Sequence, residues 1–412
     1  MRTSSIRRSR ARATASAALG MLLVGIASVP AHAEGVRDRQ WHLSAMGAEE
    51  IWQLSTGKGV TVAVIDSGVD RNNPDLRGQV LDGKDFATEQ SGDQFTDYLG
   101  HGTGMAGLIA GTGASDGGKG AFGLAPGAKI LPVRVPGLEE GTASVAESDR
   151  EFNRVVPPAI RYAADSGAKV INVSLGATAG SRELTDAVTY ALDKGSLVFA
   201  SVGNSGDKSN KPEYPGATPG VVGVGAIDEK LKRVPVSQYG PQVDMVSAGK
   251  DVVAACGDGI CKGTGTSDAT ALASAAAALI WSKHPDWTNN QVLKVMLNTI
   301  SPPTEGAKRS DYIGYGAIRP LRALKTPGDP GPADVRPIDD LDATASEPPS
   351  ADPSAGASSA APSASSGAPA PAATQAAGED GGNTGLWIGL GIGAVVLIGA
   401  AIAVPVLRSR RG

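Results

Sequence analysis

One segment, Gly263-Thr264-Gly265-Thr266-Ser267-Asp268-Ala269-Thr270, runs directly into the small and apolar residues Ala271–Ile280 and organises the rest of the chain. Its glycines and threonines predict a tight turn, and the alanine-rich run predicts a helix. Ser267 stands where the turn becomes the helix, beside backbone N–H groups that no intrahelical bond uses. Such a position stabilises an oxyanion, so Ser267 is a candidate nucleophile. The alternative is an ordinary helix N-cap.

The chain alternates between apolar runs and helical patterns. The apolar runs predict buried parallel strands at Gly59–Ile65, Ala128–Val135, Ala168–Leu175, Leu197–Val202, Gly220–Ile227 and Val243–Ala248. Helical patterns cover His101–Ala110, Ser148–Asp165, Arg182–Lys194 and Ser267–Lys283. This alternation predicts an α/β fold, with a doubly wound, mostly parallel sheet and helices on both faces.

Polar residues collect where the predicted strands end, which is the functional edge of such a sheet. Asp66 ends one strand, Ser174 lies near the end of another, and Asn204 follows a third. His101 stands in a glycine-rich turn that opens a helix. Asp66 and Asn204 each have an ordinary interpretation as a turn residue. Together these residues supply the parts of a catalytic triad: Ser267 a nucleophile, His101 a base, and Asp66 a carboxylate that orients the base.

Five motifs resemble those of the subtilisin-like serine proteases and occur in that family's order. They are Val64–Gly68, His101–Thr103, Asn172–Gly176, Val202–Asn204 and Gly265–Ser267. The order Asp, His, Ser is that of subtilisin. The resemblance implies a subtilisin-like fold and an endopeptidase that works through an acyl-enzyme, with Asn204 as the oxyanion donor. It also implies that Ser174, Leu175 and Gly176 pair with an extended peptide substrate as an edge strand.

Two positions depart from the family's pattern. Asp268 follows the candidate nucleophile where these enzymes usually have an apolar residue, often Met. A carboxylate there favours the protonated imidazole of His101 or repels acidic groups on the leaving side of the substrate. We therefore expect slower turnover or narrower selectivity. Gly104 replaces a second histidine that often follows the His-Gly-Thr motif, a change that we expect to be harmless.

The only cysteines, Cys256 and Cys261, flank a Gly-Asp-Gly turn. In an exported protein this pair predicts a disulfide across a hairpin. A metal site would need further ligands, which the neighbouring sequence does not supply. A set of acidic residues offers oxygen ligands for calcium, but it lacks calcium-loop spacing, so a solvated loop is the favoured interpretation: Asp82, Asp85, Asp93 and Asp97. No metal or cofactor is expected.

The N-terminus has the pattern of an export signal. Residues 1–33 combine a basic start, an apolar segment and the cleavage site Ala31-His32-Ala33. The alternative, a retained anchor, is disfavoured because the apolar segment is short for a membrane span. The peptidase domain, with an N-terminal extension, is predicted over residues 34–326.

The C-terminus predicts a membrane anchor. Residues 327–384 are rich in Pro, Ala and Ser and predict a disordered linker. Residues 385–407 predict a single transmembrane helix, and 408–412 form a basic cytoplasmic tail. A buried core helix is disfavoured because a helix behind such a linker has no core to join. We expect a type I protein of the cell membrane, with its catalytic domain on the cell-wall side.

This layout resembles the mycosins, which are membrane-anchored subtilases of type VII secretion. The resemblance implies a protein or peptide substrate and a type VII secretion complex as partner. A net charge of −4 gives no reason to expect a nucleic-acid partner. Two alternatives stay open: a subtilase-fold subunit that stabilises a secretion complex, and a cell-surface protease unrelated to secretion.

Overall fold

The computed structural model describes residues 35–136, 144–257, 259–304 and 306–341. The predicted signal peptide, residues 342–384 of the predicted linker, the predicted membrane helix and the basic tail lie outside these residues. Within the described ranges, the helices are all too short or too polar to cross a membrane.

The described chain is built on a parallel sheet. Its strands are β1 (Thr61–Asp66), β2 (Lys84–Asp85), β3 (Lys129–Arg134), β4 (Val170–Val173), β5 (Leu197–Ser201), β6 (Val222–Ile227) and β7 (Met245–Ala248). They lie in the order β2-β3-β1-β4-β5-β6-β7. Strands β4, β5 and β6 are buried throughout, because helices cover both faces of the sheet. The chain winds outward in both directions from β1, which makes the edge beside β1 a switch point.

The helices form two layers. They are α1 (Trp41–Met46), α2 (Ala48–Leu54), α3 (His101–Ala110), α4 (Val145–Asp165), α5 (Arg182–Asp193), α6 (Thr266–Lys283), α7 (Asn289–Thr299) and α8 (Pro320–Lys325). Helices α4 and α5 share one apolar core with the sheet, and α3, α6 and α7 share the other. Short helical turns lie at Val36–Arg39 and Ser115–Gly118. The predicted α/β architecture is confirmed.

Helix α6 passes through the interior rather than along the surface. Its alanines are 0–1% exposed, and Trp281 near its end is 1% exposed. A helix that is apolar on all sides belongs inside a domain, and small side chains allow it to lie against β4, β5, β6 and β7. This burial fixes the first turn of α6 at the carboxyl edge of the sheet.

The folded domain continues beyond the predicted boundary at residue 326. Ile338 is 6% exposed, and Asp340 accepts a hydrogen bond from the Gly220 N–H at 2.9 Å. Arg336 donates to the same carboxylate at 2.7 and 2.8 Å. The prediction of a disordered linker is therefore wrong for residues 327–341. The prediction relied on composition, which is rich in proline and small residues. The segment is held by a buried isoleucine, an ion pair and hydrogen bonds from α7, such as those of Gln291 and Asn298 to the carbonyls of Gly331 and Asp329.

We expect Asp340→Ala to destabilise the domain. The change leaves the Gly220 N–H and the Arg336 guanidinium, 8% exposed, without their carboxylate. An unpaired buried polar group costs about 1–3 kcal/mol, so the free energy of unfolding should fall by about that amount. Denaturant unfolding measures it, with the exposed neighbour Asp339→Ala as control. Equal stability of the two variants would contradict the assignment.

Candidate active site

Three residues that are distant in sequence meet at the carboxyl edge of the sheet. Asp66 is the last residue of β1, His101 is the first residue of α3, and Ser267 is the second residue of α6. His101 and Ser267 line one cleft of about 290 Å³. The cleft lies at the switch point beside β1, where open α/β sheets bind their ligands.

The imidazole of His101 is held by Asp66. Its Nδ1 lies 2.7 Å from Asp66 Oδ1, and the Asp66 side chain is fully buried. The same oxygen accepts hydrogen bonds from the backbone N–H of Ser67 at 2.8 Å and from its hydroxyl at 3.2 Å. With Nδ1 held in this way, Nε2 is the ring nitrogen that can exchange a proton in the cleft.

Asp97 organises the start of α3, a role that sequence reasoning missed. Its carboxylate accepts hydrogen bonds from Ser67 Oγ at 2.8 Å, Gly100 N at 2.9 Å and Thr103 N at 2.8 Å. The interpretation of this region as a solvated loop is therefore wrong at Asp97. An acidic residue just before a helix start was the signal available in the sequence.

The neighbouring acidic residue Asp85 is also structural, since its carboxylate lies 3.5 Å from the buried Arg134 guanidinium. The described part of the chain contains no group of three or more His, Cys, Asp or Glu residues arranged to hold a metal ion.

The electrostatics of the cleft favour a protonated imidazole. The Asp66 carboxylate raises the pKa of His101 above its usual value, burial opposes this, and Asp268 and Asp97 add to the increase. Asp268 is itself 7% exposed. Burial raises the pKa of its carboxyl to about 7, and the His101 charge opposes that shift. Each of these two groups therefore influences the proton on the other.

Ser267 lies inside the first turn of α6 rather than before it. Gly265 is the N-cap residue and has no side chain to cap with, so the N-cap interpretation of Ser267 is wrong. The Ser267 hydroxyl donates to the Ser174 carbonyl at 3.1 Å. Among the described residues it makes no hydrogen bond to His101. Catalytic hydrogen bonds are often long or poorly aligned until substrate is bound.

Asn204 is fixed against the start of α6. Its Oδ1 accepts from the Thr266 N–H at 2.9 Å and from the Thr266 hydroxyl at 3.1 Å. The amide nitrogen of Asn204 makes no hydrogen bond within the described residues, and Asn204 lines the same cleft as Ser267. A Cβ at Gly265 would lie 3.3 Å from the Asn204 amide, so glycine allows this close approach.

The segment Ser174–Gly176 follows β4, and its Ser174 carbonyl accepts the hydrogen bond from the Ser267 hydroxyl. Ser174 is 5% exposed, whereas Leu175 and Gly176 are half-buried. Leu175 and Gly176 lie beyond the end of β4, and their backbone groups form no hydrogen bond with another backbone group of the described chain. Their N–H and C=O groups are therefore available to an extended peptide.

A disulfide hairpin contributes part of the cleft wall. Strands β8 (Val252–Cys256) and β9 (Gly259–Gly263) pair antiparallel, and Cys256 is joined to Cys261 with their Cα atoms 5.9 Å apart. Ala254, Cys261 and Gly263 line the cleft. Asn73 donates to the Gly257 carbonyl at 2.8 Å, which ties the hairpin tip to the loop after β1.

Comparison with known proteins agrees with this fold and cleft. Residues 57–316 match the Subtilase family, and since this is more than half of the chain, the chain belongs to that family of serine peptidases. Thermitase of Thermoactinomyces vulgaris is 37% identical over 211 residues, which cover 51% of this chain and 70% of thermitase.

Solved structures of secretion-associated proteases are also similar. The MycP3 protease from the type VII (ESX-3) secretion system is 31% identical, with a TM-score of 0.60, and the match covers 69% of this chain and 88% of that one. MycP1 from Mycobacterium smegmatis is 26% identical with a TM-score of 0.63, over 74% of this chain and 89% of that one.

We expect Asp268→Asn to lower the pKa of His101. The variant removes a negative charge that favours the imidazolium, while the larger contribution from Asp66 remains, so the pKa falls but stays raised. An NMR titration of the imidazole resonances measures this. His284, which stacks on Trp287 beyond the other end of α6, is the internal control. An unchanged His101 pKa would contradict the coupling.

Proposed function

We propose that this protein is a serine endopeptidase in which Asp66, His101 and Ser267 form the catalytic triad. The observation that carries the proposal is the 2.7 Å contact between Asp66 and His101 in the cleft that Ser267 lines from a helix N-terminus. In its neutral form, which becomes more populated as the pH rises towards the raised pKa of His101, the ring accepts the proton of Ser267 Oγ at Nε2 as that oxygen attacks the peptide carbonyl. Asp66 orients the imidazole and stabilises its charged form.

The reaction then proceeds through an acyl-enzyme. His101 gives its proton to the leaving amine, the peptide bond breaks, and the acyl group remains on Ser267 as an ester. Water activated by His101 hydrolyses the ester. The negative oxygen of each tetrahedral intermediate is stabilised by the Asn204 amide nitrogen and the Ser267 backbone N–H, at the positive end of α6.

The substrate is proposed to be a peptide that binds in extended form beside Ser174, Leu175 and Gly176. The unpaired backbone groups of Leu175 and Gly176 support the proposal, because main-chain hydrogen bonds give affinity for many peptide sequences. Such pairing places the scissile carbonyl beside Ser267, since Ser174 and Ser267 are already in contact.

The protein is further proposed to act outside the membrane, anchored by residues 385–407 and exported by residues 1–33. Its similarity to MycP1 and MycP3, described as proteases of type VII secretion systems, supports a place beside such a system. A protein exported by that system is then the substrate class to examine first.

A biotinylated fluorophosphonate that does not cross membranes tests activity and location together. It phosphonylates a nucleophilic serine, so intact cells should yield labelled protein, and Ser267→Ala cells should yield none. Absence of labelling in both cells and lysate would contradict the enzyme proposal, and labelling in lysate alone would contradict the location.

A comparison of protein N-termini at the cell surface between wild type and Ser267→Ala tests the secretion link. The N-termini that depend on Ser267 should belong to proteins exported by that system.

Asn204→Ala should lower turnover by about 10²–10³-fold, the loss found when subtilisin loses its oxyanion asparagine. The side chain also receives the Thr266 N–H, so folding needs a control. Asn204→Asp keeps the oxygen that accepts this bond but not the donor nitrogen. Asn204→Asp should lose at least as much kcat as Asn204→Ala, because its carboxylate also repels the oxyanion, while its thermal unfolding stays unchanged. Full activity of either variant would exclude Asn204 as the donor.

A further inference from the structure

The carboxylate of Asp268 faces the cleft without a partner. The side chain lines the cleft and is 7% exposed. Within the described residues no hydrogen bond or ion pair reaches either of its oxygens. A buried carboxylate normally has compensating donors, because leaving it unpaired costs free energy. Neither oxygen is among the fully enclosed polar atoms that lack a partner, so the carboxylate is accessible from the cleft to a molecule that enters it.

The surrounding chain makes room at this carboxylate. A Cβ at Gly263 would lie 2.7 Å from both Asp268 oxygens, so only glycine at that position admits the carboxylate in this place. On the facing helix, a Cβ at Gly104 would meet nothing closer than Cys256 at 3.8 Å. The absent side chain at Gly104 leaves that part of the cleft open.

The position of Asp268 relative to the reaction follows from its neighbours. The Ser174 carbonyl and the proposed substrate strand lie on one side of Ser267. Asp268 lines the cleft together with His101 and Ser267, whereas Ser174 is not among the lining residues. His101 protonates the leaving amine, so the residue that follows the scissile bond passes on this side. Its side chain would enter the part of the cleft that Asp268, Gly104 and Gly263 line.

We propose that Asp268 is a specificity-determining residue that selects a basic side chain, Lys or Arg, directly after the scissile bond. This inference rests on the proposed peptidase function and adds its substrate class. A cation supplies both the charge and the hydrogen-bond donors that the buried carboxylate lacks. An acidic side chain at the same position is repelled, and an apolar one leaves the carboxylate unpaired.

Peptides that differ only after the scissile bond test the inference. A random library first fixes the preceding residues, and quenched peptides with Lys, Met or Glu after the bond are then compared. We expect kcat/KM for Lys over Met to be about ten- to hundredfold, the size of a charged hydrogen bond. Asp268→Asn should bring the ratio near one. The control is Asp251→Asn, which removes an exposed carboxylate that pairs with Lys262 of the disulfide hairpin. This variant should keep the wild-type ratio.

The ratio is insensitive to general loss of activity, because both peptides meet the same enzyme. A wild-type ratio near one, or a preference that persists in Asp268→Asn, overturns the inference while leaving the proposed function intact. Failure of the wild-type protein to cleave any peptide or react with the fluorophosphonate overturns the proposed function and this inference with it.

An acyl-transfer experiment tests whether the preference concerns the residue after the scissile bond. A peptide ester first acylates the enzyme, and lysinamide or methioninamide then competes with water. The amine nitrogen bonds to the acyl carbon, the ester bond to Ser267 Oγ breaks, and the amine proton passes through His101 to Oγ. Lysinamide should be the better acceptor by about tenfold in the wild type and equal in Asp268→Asn. No advantage for lysinamide in the wild type overturns the placement.

Discussion

The burial of α6 is the constraint on which the site depends. A helix of alanines and a fully covered Trp281 can lie only in the interior, so its first turn must open at the edge of the sheet. The N–H groups of that turn need acceptors that the helix itself cannot provide. Asn204 satisfies the N–H of Thr266. Ser267, the next residue, lines the cleft, where the proposed reaction forms its oxyanion.

A second series of contacts fixes the position of His101 relative to the sheet. Asp97 holds the first turn of α3 through Gly100 and Thr103, and it also holds the Ser67 hydroxyl, which in turn contacts Asp66. The position of His101 is thus determined by β1 and by the loop before α3 together. This explains how a histidine at a helix start, flanked by glycines that give no lateral support, keeps a fixed orientation.

The sequence made some of these features predictable and concealed others. Apolar runs and their spacing predict the buried strands, because burial on both faces leaves a strong pattern. The two-residue strand β2 and the role of Asp97 leave almost none, since both depend on contacts between distant segments. The prediction for residues 327–341 is wrong for a related reason. Their composition is that of a linker, but Ile338, the Asp340 contacts and side chains of α7 that donate to the backbone carbonyls of this segment hold it in place.

The orientation of the Ser267 hydroxyl and the burial of Asp268 were equally inaccessible from sequence. Rotamers and cavities depend on what neighbouring segments leave open. The Ser174 carbonyl determines the orientation of the Ser267 hydroxyl, and Gly263 makes room for the Asp268 carboxylate. Both residues lie outside the motif Gly265–Ser267.

Asp268 creates a conflict at the start of α6 that the substrate can resolve. A carboxylate in the first turn is favoured by the helix dipole. The oxyanion that forms on the peptide carbonyl uses the same positive end, and two negative charges there oppose each other. A cation that pairs with Asp268 removes the opposition as the oxyanion develops. Part of its interaction energy is therefore realised only in the transition state, so selectivity at this position should appear in kcat as well as in KM.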